Sequence, residues 1–579
     1  MTGTSTETLN KVLQVVRKFW LLLVLSVVLA GVTVVLQLYV PVLFGDAIDA
    51  IIDKGNVDFD MVGKYMARIG ILIAVSSLAS WVMNLINNRL TYHTVQDIRS
   101  RAIRHIQELP LSYLDSHSTG DIVQRVIADT DQLSDGLLMG FTQLFSGVIT
   151  IIVTLFFMFS RDLRITLLVI VMTPISFLVA RFIASRSYTM FRRQTAARGK
   201  QTAFINEMVG NEKIVKAFGH EASASKQFAE INRELREYSQ SAVFFSSLTN
   251  PSTRAVNNVI YALVALVGAV RIMNNALTVG GLTIMLSYAS QYMKPFNDIS
   301  SVITELQNAL ACAARVFELI EANPQSKDAS GILEVHDGAI DIQDVSFSYV
   351  KSRKLIEHFS FHAAPGTMTA IVGPTGCGKT TFINLLMRFY DADEGKIHVD
   401  GQEIQDVTRA SLRSSYGMVL QETWLKKATV RENIAFGKPE ASDEEIIKAA
   451  KEAHSWEFIR RLPKRLDTVI DDESLSQGQK QLLCITRVML CVPPLLILDE
   501  ATSSIDTRTE IQIQEAFGKL MQGRTSFIVA HRLSTIRNAD KILVMKDGKI
   551  IEQGSHESLM KANGFYTELY NSQFAGVES

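Results

Sequence analysis

The stretch Gly-Pro-Thr-Gly-Cys-Gly-Lys-Thr-Thr, residues 373–381, decides how the second half of the chain folds. Its spacing, a glycine, four residues and then Gly-Lys-Thr, is typical of loops that join a strand to a helix and hold phosphate. Glycines suit such a loop because backbone N–H groups must curl around phosphate oxygens with no Cβ in the way. The apolar runs on either side, Met368 to Val372 and Phe382 to Leu386, predict the strand and the helix.

This loop predicts a site for ATP and Mg²⁺. Lys379 is expected between the β- and γ-phosphates, at the positive end of a helix dipole, and Thr380 is expected to ligate Mg²⁺. The predicted nucleotide-binding residues of the loop are Gly373, Pro374, Thr375, Gly376, Cys377, Gly378, Lys379, Thr380 and Thr381.

Two carboxylates end a second apolar run, Leu495 to Leu498. We expect Asp499 to hold Mg²⁺ through water and Glu500 to take the proton of the attacking water as a catalytic residue. A pair of acids that only caps the next helix would not explain the four apolar residues before it.

Three single residues can be given roles because the phosphate loop is present. Gln421 follows an apolar strand and is expected to reach Mg²⁺ or the water. His531 follows another strand and is expected to orient the γ-phosphate and the water, as the second catalytic residue. Tyr349 ends an alternating strand and is expected to stack on adenine. Without the loop, each would be interpreted as structural.

The sequence Leu-Ser-Gln-Gly-Gln opens a further predicted helix, Lys480 to Leu490. Ser476 suits its N-cap, and the start of a helix is a second place where an anion can bind. One chain has little use for a second γ-phosphate site, whereas two such domains that face each other would use both. The predicted residues of this second site are Ser476, Gln477, Gly478 and Gln479.

Composition points to a membrane protein. The chain has 579 residues, too many for one ordinary domain, and 47% of them are hydrophobic. The net charge of −1 gives no reason to expect nucleic acid as a partner. The four cysteines show no metal-ligand spacing, which favours reduced thiols.

Long apolar runs in the first half predict six membrane spans. Basic residues concentrate between the second and third spans and between the fourth and fifth, which predicts that both termini lie in the cytoplasm. Leu9 to Lys18 is interpreted as a helix on the membrane surface, with its basic side chains toward lipid headgroups. The spans are Phe19–Val42, Tyr65–Ile86, Leu137–Phe159, Leu163–Ala184, Val256–Ile272 and Leu282–Ile303.

The two basic connections are long and helical in pattern, so the membrane helices are expected to continue into the cytoplasm. Turn residues interrupt each connection once, at Leu109–Asp121 and Val209–His220. Each interruption is interpreted as a short helix at the tip of a hairpin, although an ordinary helix break would fit equally well. Polar linker composition begins at Asn323, which predicts a membrane domain at 1–322, a linker at 323–335 and a nucleotide-binding domain at 336–579.

In order and spacing, these motifs resemble the ATP-binding cassette (ABC) family, and the six spans resemble its exporter branch. The resemblance implies an all-α six-helix transmembrane domain followed by an α/β P-loop nucleotide-binding domain. It implies ATP hydrolysis coupled to alternating access, and export of hydrophobic or amphipathic drugs, lipids or peptides. It also implies a second half-transporter as partner, with ATP held between the loop of one chain and the signature of the other, in the cell membrane.

Two departures from the family pattern suggest an unequal pair. The signature usually reads Leu-Ser-Gly-Gly-Gln, but Gln477 replaces the first glycine. The segment before it, Thr468 to Glu473, also departs from the usual pattern. With Glu500 present, this combination resembles one member of a heterodimeric exporter, so a heterodimer is favoured over a homodimer. The resemblance leaves open a siderophore-type importer on the same frame, and an ATP-gated channel or sensor.

Overall fold

The computed structural model describes residues 2–53, 56–351, 354–420, 423–499, 505–529 and 533–574. The chain divides into two compact units. The first contains Met1–Gln107 and Thr119–Ala322, and the second contains Glu108–Ser118 and Asn323–Ser579. A short piece of the amino-terminal half therefore belongs to the carboxyl-terminal unit.

The amino-terminal half is helical, apart from a small antiparallel pair, β1 (Ile51–Asp53) and β2 (Asn56–Val57). A π-helix, Gly140–Leu144, joins α6 to α7. The helices are α1 (Thr2–Arg17), α2 (Trp20–Asp49), α3 (Phe59–Ile106), α4 (Leu111–Ser116), α5 (Thr119–Val126), α6 (Ala128–Met139), α7 (Phe145–Arg161), α8 (Leu163–Gly210), α9 (Glu212–Ala217), α10 (Glu221–Met273) and α11 (Val279–Ile320).

The six predicted spans all fall on helices. Within the described residues, four helical runs are long and apolar enough to cross a membrane: Trp20–Asp49, Phe59–Ile106, Thr119–Arg161 and Glu221–Met273. The other two predicted spans lie in α8 and α11. At about 1.5 Å per residue, the 48 residues of α3 extend about 72 Å, far beyond the ~30 Å of a hydrocarbon core.

Both predicted hairpin tips contain short helices. The first holds α4 and the start of α5, and the second holds α9. Pro110 has an extended backbone and directly precedes α4. Because proline has no backbone N–H to donate, the long helix α3 cannot continue through this position. The hairpin interpretation of both interruptions therefore matches the observed helices.

The helix α1 packs against the first unit through its valines. Val12, Val15 and Val16 are buried against the first unit. Lys11 pairs with Glu7 and Glu321 at 2.8 Å, and Lys18 pairs with Asp97 at 3.0 Å. Residues distant in the chain thus supply carboxylate partners for both lysines, and the placement of α1 on the membrane surface stays a prediction.

The helices α2 and α11 pack closely through glycines. A Cβ at Gly280 would lie 2.0 Å from the carbonyl oxygen of Gly45, so neither helix tolerates a larger residue there. The Asp49 carboxylate accepts hydrogen bonds from the Gly280 N–H (2.7 Å) and the Thr278 hydroxyl (2.6 Å). The end of α2 thus caps the start of α11.

A second tight pair is α6 and α11. Arg315 donates two hydrogen bonds to Asp129, a carboxylate that is almost fully buried, at 2.5 and 2.7 Å. The same two helices also approach closely at a second place, where a Cβ at Gly136 would lie 2.3 Å from Cβ of Ala309. Charge pairing and close backbone approach together hold these two helices as one body.

The carboxyl-terminal half alternates strands and helices. Its strands are β3 (Ile340–Phe347), β4 (Ile356–Ala363), β5 (Met368–Val372), β6 (Glu394–Val399), β7 (Gln402–Glu403), β8 (Tyr416–Val419), β9 (Ala428–Thr429), β10 (Val469–Ile470), β11 (Leu495–Asp499), β12 (Thr525–Val529), β13 (Lys541–Lys546) and β14 (Lys549–Gly554). Its helices are α12 (Lys379–Leu386), α13 (Arg409–Ser414), α14 (Val430–Ile434), α15 (Asp443–Glu452), α16 (Trp456–Ile459), α17 (Gln477–Cys491), α18 (Thr507–Met521), α19 (Leu533–Arg537), α20 (His556–Ala562) and α21 (Phe565–Phe574).

The main sheet has six strands in the order β14-β13-β5-β12-β11-β8, and all but β14 run parallel. Its central strands are apolar along their whole length because both faces are covered. Leu496, Leu498 and Ile528 face the core that contains α17 and α18. Ile497 and Phe527 face the opposite core, which contains α12 and a four-stranded antiparallel sheet, β4-β3-β6-β7. The sequence did not predict this second sheet.

Candidate nucleotide site

The strand order places the loop 373–378 and Asp499 at one edge of the main sheet. The parallel neighbours β5, β12, β11 and β8 present their carboxyl ends together. The loop 373–378 follows β5, and Asp499 ends β11. Glu500, Gln421 and His531 lie outside the described residues, although in sequence they follow the region where β11, β8 and β12 end.

Glycines give the loop its shape. A Cβ at Gly373 would lie 2.2 Å from the carbonyl oxygen of Met545 on β13. Only glycine therefore fits at this position, where the chain leaves β5. Gly376 and Gly378 have φ values of 82° and 105°, a region that residues with a Cβ rarely adopt. Gly378 is also the N-cap of α12, so the free N–H groups of that helix begin at the loop.

The Lys379 ammonium lies inside the loop. It donates to the carbonyl oxygens of Gly373 (2.7 Å) and Pro374 (3.1 Å). Thr380 is exposed beside it on the first turn of α12, whereas Thr381 is buried in the core. A cation, a helix N-terminus and a side-chain hydroxyl therefore meet at one place.

The arrangement fits ATP and Mg²⁺. Phosphate needs unhindered backbone N–H groups and a cation, and both are present. Mg²⁺ in such sites takes one or two protein oxygens together with phosphate and water, and the Thr380 hydroxyl and the Asp499 carboxylate are suitable donors. Among the described residues no group of three or more His, Cys, Asp or Glu side chains could hold a metal ion.

Cys377 is buried beneath the loop, with 4% of its surface exposed. Burial raises the pKa of its thiol, and the nearby Lys379 offsets that rise only in part. The thiol therefore contributes packing to the loop rather than a charge.

Tyr349 stands beside the loop on an aromatic cluster. Its ring meets the rings of Phe347 and Tyr390 edge to face, each with centroids 4.9 Å apart. Its hydroxyl accepts a hydrogen bond from Asn384 of α12 at 3.1 Å, and about half of its surface stays exposed. This geometry leaves the ring available to a flat ligand such as adenine.

Tyr390 also contacts the first hairpin tip. Its hydroxyl donates to the carboxylate of Asp115 on α4, and burial together with this carboxylate raises the pKa of Tyr390. Beside this contact, the backbone N–H of Gln325 donates to the carbonyl oxygen of Glu108 at 2.7 Å. Sequence reasoning named the tip but missed Tyr390, because no local pattern marks it.

Asp391, the residue after Tyr390, binds the predicted linker that begins at Asn323. Asp391 accepts from Ser326 (3.0 Å) and Arg388 (2.9 Å), and the buried Arg409 pairs with Asp391 and with Asp328. Burial alone would raise the pKa of Asp391. The hydrogen bond from Arg388, the charge of Arg409 and the bond from Ser326 outweigh burial and keep that pKa below its usual value.

The signature residues form the start of α17. Ser476 accepts from the Gln479 N–H and donates its own N–H to the Gln479 side chain, which is a capping box. A Cβ at Gly478 would lie 2.5 Å from Cγ2 of Thr509, so this glycine allows α17 to approach α18. The side chain of Gln477 donates to Thr423 at 3.2 Å.

Comparisons with known proteins agree with this geometry. Residues 23–296 match the family model "ABC transporter transmembrane region", and residues 356–503 match the model "ABC transporter". An ABC transporter ATP-binding protein of Bacillus subtilis (strain 168) is 37% identical over 96% of this chain and 92% of its own length. A fatty acid ABC transporter ATP-binding/permease protein of Mycobacterium bovis is 39% identical over 89% and 82%.

A solved structure of a bacterial Atm1-family ABC exporter with ATP bound is similar over the whole chain. Its TM-score is 0.78 at 28% identity, and the match covers 97% of this chain and 99% of that one. The predicted fold class, a helical transmembrane domain followed by a P-loop domain, is confirmed. The chain therefore belongs to the ABC transporter family, as a membrane exporter that couples Mg²⁺-dependent ATP hydrolysis to transport.

Proposed function

We propose that this chain works as one half of a dimer in which ATP lies between Gly373–Thr381 of one chain and Ser476 to Gln479 of the other. The observation that carries the proposal is the placement of two anion-binding helix starts. The helices α12 and α17 pack on opposite faces of the same sheet. One nucleotide at Lys379 cannot also meet Ser476 of its own chain, so a second cassette must supply the other half.

Within each site we expect the predicted residues to divide the work. Lys379 and the N–H groups of the loop hold the phosphates, and Thr380 and Asp499 hold Mg²⁺, the latter through water. The Mg²⁺ ion supplies neutralisation of the charge that develops on the transferred phosphoryl group. Tyr349 stacks on adenine, Glu500 takes the proton of the attacking water, and Gln421 and His531 orient that water and the γ-phosphate.

The cargo class follows from the membrane half and from a relative. We infer hydrophobic or amphipathic compounds, because the membrane helices are apolar and the Mycobacterium bovis relative is named for fatty acids. The chain would span the cell membrane with both termini in the cytoplasm, as its basic connections suggest. The domain limits 1–322, 323–335 and 336–579 belong to the same proposal.

The partner is proposed to be a different half-transporter. Gln477 stands where the family usually has glycine, so the site completed by this signature is expected to bind ATP and hydrolyse it slowly. The second hairpin tip supports a partner, because Val209, Ile214 and Phe218 around α9 expose 56–76% of their surface. Exposed apolar side chains on a tip are suited to docking on a neighbouring chain.

The replacement Glu500→Gln tests the catalytic assignment. Removal of a general base costs on the order of 10²–10⁴ in rate, so ATP hydrolysis and uptake into inside-out vesicles should both be lost. Glu444→Gln, at an exposed position of α15, is the matched control and should change neither. Turnover that survives Glu500→Gln would show that another carboxylate is the base.

The partner proposal has its own test. The chain purified alone should hydrolyse ATP poorly, and co-expression with the gene product encoded beside it should restore drug-stimulated turnover. Robust stimulated hydrolysis by the chain alone would overturn the unequal pair and leave a homodimer.

A further inference from the structure

A cavity of about 430 Å³ lies between the main sheet and the helices α18 and α19. Its floor is formed by Met368 of β5, Leu498 of β11 and Ile528 of β12, which belong to or pack against the core on that face of the sheet. The volume falls within the roughly 300–1,000 Å³ of cavities that hold small molecules. The described residues that line it include none of the loop 373–381, so the cavity is separate from the nucleotide site.

A glycine on α18 keeps this cavity open. Gln514, Phe517, Gly518 and Met521 are spaced by three or four residues, so they share the face of the helix that lines the cavity. No atom lies within 4 Å of a Cβ placed at Gly518. A larger side chain at this position would therefore occupy part of the cavity without a clash.

The apolar part of the lining suits an aromatic ring. Met368 and Met521 contribute thioethers, and Phe517 contributes a ring. Thioether sulfur makes favourable contacts with aromatic rings, and the flexible methionine side chain adapts to ligands of different outline. An aliphatic chain would gain the burial but not the sulfur contacts, so a flat ring system fits this floor better.

The polar part of the lining consists of amides and one carboxylate. The side-chain amides of Gln514 and Asn538 have no hydrogen-bond partner in the described part of the chain. One oxygen of the Asp540 carboxylate accepts from the Met368 N–H at 2.8 Å, which leaves the other for a ligand. Among the described residues that line the cavity none is basic. The single carboxylate therefore favours a cation or a neutral donor and disfavours an anion such as a nucleotide.

We propose that this cavity binds a flat heteroaromatic molecule that is neutral or carries one positive charge. The ring lies against Met368, Phe517 and Met521. Its N–H groups donate to the Asp540 carboxylate and to the amide oxygen of Gln514. All of these contacts come from one chain, so binding is expected whether or not the chain dimerises.

Proflavine is a suitable probe, because it is a flat acridine with amino donors and one positive charge. The full chain in nanodiscs is titrated, and proflavine fluorescence is recorded against empty nanodiscs as the blank. We expect a Kd on the order of 100 µM for a ring of this size. Acridine carboxylate, which has the same ring and a negative charge, should bind about 10-fold more weakly or less, since it meets the Asp540 charge.

Two variants place the probe in the cavity. Gly518→Leu fills the space and should weaken proflavine binding about 10-fold or more, because the ring loses its contact area. Asp540→Asn keeps an acceptor for the Met368 N–H and removes the charge. It should weaken proflavine about 5-fold and leave neutral acridine unchanged, as expected for one charge pair in contact with water.

Ile511→Phe is the matched control, because it enlarges an exposed side chain of α18 that does not line the cavity. Its Kd for proflavine should equal that of the unchanged protein. Unfolding temperatures that are not lowered in the three variants would show that the losses come from the cavity and not from a folding defect.

Photolabelling locates the bound ring. An azido derivative of proflavine should label the peptide that contains Gln514 to Met521, and excess acridine should protect that peptide. Three outcomes would overturn the proposal: labelling confined to the membrane helices, an unchanged Kd in Gly518→Leu, or equal affinities for proflavine and acridine carboxylate. A change of oligomeric state in Gly518→Leu would also overturn it, because the cavity would then be an interface between copies of the chain.

Discussion

Gly478 shows how one missing methyl group positions the signature. An added Cβ would lie 2.5 Å from Cγ2 of Thr509 and 3.1 Å from Cγ2 of Ile505, both on branched side chains that cannot turn away. We expect Gly478→Ala to destabilise the protein by about 1–3 kcal/mol, the usual cost of overpacking, and to reduce ATP hydrolysis. Differential scanning fluorimetry and a phosphate-release assay measure the two effects.

Gly518 provides the matched control within α18. No atom lies within 4 Å of a Cβ placed there, so Gly518→Ala should be neutral or should stabilise by about 0.4–1 kcal/mol. Equal unfolding temperatures for the two alanine variants would contradict the packing argument for Gly478.

Cys377 offers a test of the loop in solution. Burial raises the pKa of its thiol, so the reactive thiolate is scarcer at pH 7 than in an ordinary cysteine and increases as pH rises. We expect maleimide at pH 7 to modify the exposed Cys491 before Cys377, and a rise to pH 9 to speed both reactions. Mass spectrometry of Cys377→Ser and Cys491→Ser assigns the sites, and faster labelling of Cys377 would show that the loop opens.

At the scale of elements, the contact between α4 and Tyr390 joins the first hairpin tip to the aromatic cluster of Tyr349. Tyr390→Phe removes the hydroxyl and keeps the ring against Tyr349. We expect ATP hydrolysis to continue while the cargo moved per ATP falls by about 10-fold or more, since a hydrogen bond to a charged group is lost. Asp115→Asn should act in the same direction, and both rates are read in the same proteoliposomes.

Asp337→Asn, at an exposed position of the same unit, should leave the ratio of transport to hydrolysis unchanged. If Tyr390→Phe also left that ratio unchanged, the tip would be held by other contacts and the coupling role of this pair would be wrong.

The elements that could be predicted are those with local signals. The strands β5 and β11 appear in the sequence as apolar runs because both of their faces are covered. The loop after β5 could be predicted from its glycines. The antiparallel sheet was missed because alternation shows that a strand is half-exposed and does not show which strand pairs with it. Tyr390 and Asp115 stand 275 residues apart, and no pattern within either segment indicates the other.

For the whole molecule, the basic connections give a topology that can be measured. Cysteines are placed at two exposed positions, Asn275 between α10 and α11 and His220 at the second tip, in a chain whose four native cysteines are serine. An impermeant maleimide should label Asn275→Cys on intact cells and His220→Cys only after permeabilisation. The reverse pattern would place the nucleotide-binding unit outside the cell and away from ATP.

The helix α3 has a mechanical consequence. It runs for 48 residues without a proline and is followed by α4, which holds Tyr390. A rod of about 72 Å that tilts by roughly 5° displaces its far end by about 6 Å, which approaches the 8–10 Å between neighbouring helix axes. If the proposed dimer closes on ATP, a small movement at the tip would therefore become a displacement of several ångströms at the far end of α3.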